Sequence, residues 1–216
     1  MKMLGFMFLK RDWSKDQMEL KRNMRELNGR SLPYDLLIFP EGTTIHREGV
    51  EKSKIWIEKN GYPEMEHVLC PRSTGLYSII RALKEKGEDD EDKSVQALVD
   101  LTFAYDGVTS DKEPGEVYSL WSIYIEGKAP KDIHVNFSLT PIDEIPTESE
   151  EAFTKWLVKR FARKNRLLND FYSTGRFPAA ITFPPKRAAM VKSQAAFSTF
   201  CMGLFLILGA LLALLA

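Results

Sequence analysis

The sequence predicts an α/β domain, a mixed sheet flanked by helices, followed by a membrane helix at the C-terminus. Three observations carry this expectation. Apolar runs of strand length alternate with segments of helical periodicity. The chain of 216 residues, 44% hydrophobic and 28% charged, has ordinary globular composition and length enough for one sizeable core. The last twenty residues, Phe197 to Ala216, carry no charge at all.

Taken in order, Asp16 to Leu27 reads as a helix, with Met18, Leu20, Met24 and Leu27 as an imperfect apolar stripe and Asn28-Gly29 as its stop. Asp35 to Phe39 is expected to be a strand, and Gly49 to Asn60 a helix with Lys52 and Lys54 in solvent and Ile55 and Trp56 packed inward. Gly61-Tyr62-Pro63 breaks that helix. Val68 to Pro71 reads as a second core strand. Leu76 to Lys86 follows as a helix whose Leu76, Ile79, Ile80 and Leu83 recur at spacings of three and four, one face for the sheet. Gln96 to Tyr105 and Ile133 to Leu139 are two more strands, the latter with alternating Ile133, Val135, Phe137 and Leu139. Glu150 to Tyr172 is a long helix with Phe153, Trp156, Leu157, Phe161 and Leu168 on one side and a run of Lys and Arg elsewhere. Such a helix either lies on anionic headgroups or packs on a core with its charged face in water.

Charge and cysteine usage exclude several classes. Thirty basic and thirty acidic residues cancel, which argues against a generic nucleic-acid binder. Two cysteines, Cys70 and Cys201, are too few and too separated for a disulfide framework, so a reducing, cytosol-facing environment is expected. There is no Cys-x-x-Cys, no His-x-x-x-His and no carboxylate cluster at ligand spacing, so no metal site is expected. The acidic run Glu88 to Asp92 reads as an exposed loop.

The most informative segment is Phe39-Pro40-Glu41-Gly42-Thr43, set directly after the apolar Leu36-Leu37-Ile38. An apolar run ending in Pro, Gly and a hydroxyl residue hands the chain to a surface loop, where Glu41 either faces water or meets a ligand. Two further blocks stand in order around it. Gly5 to Trp13 is an apolar segment closing on Lys10-Arg11, and Val68 to Leu76 contains Cys70-Pro71-Arg72-Ser73-Thr74-Gly75. An arginine fork is suited to phosphate oxygens, and a proline fixes the exit of a strand.

Together the three blocks resemble the glycerolipid acyltransferase family, the acyl-CoA-dependent lysophospholipid and lysophosphatidic acid acyltransferases. The Pro-Arg-x-Thr-Gly form of the third block resembles its eukaryotic lysocardiolipin and lysophosphatidylinositol branch, and the likeness runs from Gly5 to Pro178. The resemblance implies that Arg11 binds the substrate phosphate, Glu41 and Gly42 shape the glycerophosphate site, Thr43 contributes a hydroxyl and Pro71 positions the last strand exit. It also implies acyl-CoA as co-substrate with no cofactor, a lysophospholipid acceptor, a membrane setting and, by the family's commonest address, the endoplasmic reticulum.

One block departs from the family. Its first, Asn-His-x-x-x-x-Asp, normally lies well upstream of the Gly5 block, for which the four residues before Gly5 leave no room. His46, His67 and His134 have no Asp at the required spacing and read as surface residues. In the family that His takes the proton from the attacking lysophospholipid hydroxyl while the Asp orients it. A positioned base is worth typically about 10²–10⁴-fold, so no catalytic pair is assigned and little activity is expected of the chain alone. The other reading is a non-catalytic, membrane-anchored lipid-binding or interaction protein with the same fold. Since the block follows an early strand of the sheet, its absence is expected to leave a sheet edge or apolar face uncovered.

The expected organisation is a partial acyltransferase domain over 1–145, a basic amphipathic helix and linker over 146–185, and a juxtamembrane and transmembrane segment over 186–216. As a helix, the uncharged run from 197 would reach about 30 Å, one hydrocarbon thickness. Lys186, Arg187 and Lys192 just before it place the preceding residues on the cytosolic side. Deleting 197–216 is expected to move the chain from the pellet to the supernatant on alkaline membrane extraction, and retention in the pellet would remove the anchor from that segment.

Overall fold

Helix α6 (Glu150–Thr174) organises the molecule, and its local sequence explains its length. Ser149 caps its start, the hydroxyl accepting from the Ala152 N–H at 3.1 Å, and Glu150 and Glu151 sit in the first turn where the helix dipole favours negative charge. At the other end Gly175 adopts φ +73° and its N–H bonds the Phe171 carbonyl at 2.7 Å, a left-handed stop that glycine takes without strain. Between these ends Phe153, Leu157, Val158, Phe161, Ala162, Leu168 and Phe171 are buried.

A computed structural model describes residues 13–28, 35–84 and 95–178. The described elements before α6 are helices α1 (Trp13–Asn28), α2 (Arg47–Lys59) and α3 (Ser73–Lys84), strand β1 (Ala97–Tyr105), short helices α4 (Pro114–Val117) and α5 (Leu120–Tyr124), strand β2 (Ile133–Pro141) and a 3₁₀ turn over Ile142–Glu144. They divide into a larger unit, which takes in the residues up to Val117 and Pro130–Pro178, and a smaller one containing Tyr118–Ala129. Within the smaller unit Ser119 caps α5 by accepting from the Ser122 N–H at 3.0 Å.

In the larger unit α1 packs on α3 and α3 on α6. The predicted stripe of α3 therefore serves two neighbours. Leu76 and Ile80 join the core around α6, while Ile79, Ala82 and Leu83 join Leu20 and Met24 of α1. The expectation of a single face against a sheet is corrected, because four positions at spacings of three and four span enough of a helix's circumference to meet partners on both flanks.

The sheet also differs from expectation. β1 and β2 form an antiparallel pair with Leu101 opposite Phe137. Asp35 to Phe39 and Val68 to Pro71, predicted as strands, are extended chain without a ladder. An apolar run becomes a strand only when a neighbour takes up its N–H and C=O groups, and the backbone bond that joins these stretches lies one residue past the end of each, from the Arg72 N–H to the Pro40 carbonyl at 2.8 Å. The mixed sheet expected of the domain is thus a small antiparallel one packed with helices. In α2 the inward residues are Ser53 and Ile57, whereas Ile55 is exposed and Trp56 stacks on Tyr62 at the surface.

No helix among the described residues is long and apolar enough to cross a membrane. The predicted membrane segment 197–216, like Arg11, lies outside the described residues. Phe153 is wholly buried against Tyr77 and Trp156, with ring centroids 5.6 and 5.5 Å away. Phe153→Ala is expected to cost about 3–5 kcal/mol, read as a lowered midpoint in urea; an unchanged midpoint would show that the α3–α6 contact is not the core.

Candidate functional site

The segment 39–43 is a tight turn, closed by the Gly42 N–H donating to the Phe39 carbonyl at 3.1 Å. Gly42 has φ +72°, a conformation costly for any residue with a Cβ. A Cβ placed there would also lie 3.3 Å from Cδ and 3.4 Å from Nε of Arg72. The arginine side chain thus lies across the glycine, and the turn needs glycine for its backbone conformation, while a Cβ would also press on the arginine.

Two bonds tie this turn to the segment leading into α3, and a third ties that segment to α2. The Arg72 N–H reaches Pro40 as described above. The Glu41 carboxylate accepts from the Leu69 N–H at 3.0 Å, and the buried Ser53 hydroxyl of α2 accepts from the Cys70 N–H at 2.7 Å. Pro71 is buried between them. Glu41, Gly42 and Pro71 are therefore brought together across some thirty residues of sequence, and Thr43 stands exposed beside them. The hydroxyls that follow Pro71 turn toward α6: Thr74 donates to Glu150 at 2.6 Å, and Ser73 accepts from Thr154 at 2.8 Å.

Glu41 does not point freely into water. Its carboxyl pKa is raised, because burial outweighs the lowering by the Leu69 N–H and by the Lys164 ammonium. Lys164 belongs to a polar layer between α6 and the sheet, where its Nζ lies 2.5 Å from Asp100 Oδ1 and donates to the Leu101 carbonyl at 2.6 Å. Arg160 in the same layer lies 3.9 Å from Asp100, bonds Thr140 and rests on the Trp156 ring at 4.9 Å. Its Nε is buried without a partner.

The histidines support no His–Asp pair among the described residues. His46 is exposed with Nδ1 at 2.8 Å from the Thr44 carbonyl. His67 Nε2 lies 2.6 Å from Asn169 Oδ1 with its ring on Tyr172. His134 packs on Phe171 at 4.8 Å. Cys70 is half-buried, and burial pushes its thiol up to about 11, so it is a neutral, weakly nucleophilic group at physiological pH. No cluster of three metal-ligating side chains occurs among the described residues.

Sequence reasoning named Glu41, Gly42, Thr43 and Pro71 but passed over Arg72 and Lys164. Arg72 carried a signal, since it sits between the buried proline and a helix start and is the cation of its block. Lys164 carried none, being one of several cations on a long helix.

Glu41 holds its proton more tightly folded than unfolded, so its contribution favours the fold below the ordinary carboxylate range and is lost as pH rises through the raised value. Glu41→Gln, whose amide oxygen can still accept from Leu69, is expected to flatten that part of the stability–pH curve in urea melts from acidic to neutral pH. Glu41→Ala strands the Leu69 N–H and is expected to cost about 1–3 kcal/mol. Equal curves for Glu, Gln and Ala would show that the clamp contributes nothing.

Comparison with known proteins gives the chain as a whole its relatives. Residues 124–202 match the family model described as the acyltransferase C-terminus. The chain is 32% identical over 178 residues to an uncharacterized acyltransferase of Schizosaccharomyces pombe, covering 82% of this chain and 48% of that protein. It is 30% identical to a 2-acyl-1-lysophosphatidylinositol acyltransferase of Saccharomyces cerevisiae (82% and 51%) and 31% identical to a lysocardiolipin acyltransferase 1 of Gallus gallus (82% and 43%). The chain spans about half the length of these curated relatives. No solved structure gives a significant match. On these likenesses and the ordered blocks, the chain belongs to the glycerolipid acyltransferase family.

Proposed function

We propose that this chain forms the acceptor-binding part of an acyl-CoA-dependent lysophospholipid acyltransferase working at a membrane. The observation that carries the reading is the junction of two family blocks, in which the Glu41–Gly42 turn is tied through Leu69 and Arg72 to the Pro71 exit. The relatives' printed activities on lysophosphatidylinositol and lysocardiolipin support a glycerophospholipid acceptor, with lysophosphatidic acid in the same chemical class.

In this reading Arg11 pairs with the acceptor phosphate as a planar fork. The exposed backbone at Gly42 and the Thr43 hydroxyl border the glycerol, and Pro71 fixes the chain that forms the opposite side. Glu41 acts through the turn: its inward carboxylate holds the 69–72 segment at the distance the acceptor needs, which makes it a positioning residue. The uncharged run 197–216, preceded by Lys186, Arg187 and Lys192, anchors the chain in an endoplasmic reticulum membrane with the domain toward the cytosol. Such an anchor keeps the site where amphiphilic acceptors reside.

The sequence contains no Asn-His-x-x-x-x-Asp block, and this favours a second reading, lipid binding without turnover. Transfer of labelled acyl groups from acyl-CoA to lysophosphatidic acid or lysophosphatidylinositol by the detergent-purified chain separates the two. The expected outcome is acceptor binding with transfer at least a hundredfold below that of the yeast relative, in keeping with a missing general base. Robust turnover would overturn the requirement for the His–Asp pair, and failure to bind any lysophospholipid would overturn the acceptor-site reading.

A further inference from the structure

The two-stranded sheet is laid with its sides reversed. On the side facing α6 stand Asp100, Thr102, Asn136, Ser138 and Thr140, beside Leu98, Ala104 and His134, and Asp100, Ser138 and Thr140 are tied to Arg160 and Lys164. The side facing away is apolar in register: Val99 is opposite Leu139, Leu101 opposite Phe137, Phe103 opposite Val135 and Tyr105 opposite Ile133. Seven of these are large aliphatic or phenyl side chains, and they are 37–63% exposed. No charged residue occurs on that side of either strand.

We infer that this face binds the same face of a second copy of the chain, closing a sheet-on-sheet sandwich. The area is enough for a copy: with residues of roughly 150–200 Å², the phenyl rings at the upper end, seven at these exposures present roughly 600 Å² per copy. Two faces then reach the roughly 1,200 Å² at which stable interfaces begin. A sheet face of this kind packs on another at about 10 Å, with inner side chains interdigitating. Identical faces meet as an isologous pair, each residue opposite its symmetric contact. A bilayer is the poorer occupant. Lipid surfaces draw apolar and basic groups together, and the exposed cations Lys159, Arg163 and Arg166 lie on α6, which packs against the opposite side of the sheet.

Sedimentation velocity of the full chain in a density-matched mild detergent is expected to show a protein dimer. Phe137→Glu, at a position already exposed, is expected to raise the dissociation constant at least tenfold with unchanged circular dichroism, while Arg163→Glu leaves it alone. To guard against a folding defect, the apolar-preserving Phe137→Cys, with Cys70 and Cys201 replaced by Ser, is treated with a short bismaleimide in phosphatidylcholine vesicles. A cross-linked dimer is expected, with none from Arg163→Cys. A monomer at every concentration, or a dimer indifferent to Phe137→Glu and not cross-linked through position 137, overturns the inference. So does a wild-type monomer whose flotation with the vesicles is lost in Phe137→Glu, which would assign the face to the bilayer.

Discussion

The larger unit depends above all on one surface, the long capped helix α6, because the larger of its two buried clusters is built around it. Its apolar stripe receives α3 and the Met65–Val68 segment, and its one buried amide makes the contact specific. Asn165 Oδ1 accepts from both the Glu66 and His67 N–H groups at 2.8 Å, so two backbone donors of a segment without a ladder are satisfied by a single side chain. Buried backbone groups left unpaired cost on the order of 1–3 kcal/mol each. That bond explains how the chain from 65 to 72 holds its course without being a strand. Arg72 and Leu69 can then meet the Glu41 turn.

The same helix explains why the sheet presents its polar side inward. Arg160 and Lys164 project from α6 beneath β1 and β2, and Asp100, Ser138 and Thr140 answer them. A half-buried ion pair adds little net stability, since desolvation offsets much of the attraction. It does select one register, because a slip of one residue would set leucine and phenylalanine against two cations. Glu41 lies at the margin of this layer, where burial and Lys164 act on its carboxyl in opposite directions.

Much of this was legible in the sequence, and what was missed has a common cause. The helices at Asp16–Leu27 and Glu150–Tyr172 follow from local periodicity and caps, and the structure contains both with slightly longer bounds. The strand at Ile133–Leu139 follows from alternation, and it is present as well. Alternation tells which residues share a side; it does not tell which side is covered. The segments at 35–39 and 68–71 have strand composition, but strand formation is a property of two segments. For the candidate site, the turn and the buried proline were visible as local chemistry. The inward aim of the Glu41 carboxylate was not, because its partner is a backbone N–H 28 positions away.

By itself the sequence determined the local elements, the family blocks and the hydropathy of the two ends, because these rest on neighbours within a few residues. Only the tertiary structure decided that α3 is shared between α1 and α6, that the apolar side of the sheet is the uncovered one, and that Arg72 lies over Gly42. Each of these turns on which surfaces meet. That is set by burial and by hydrogen-bond closure between segments far apart in the chain, where periodicity carries no information.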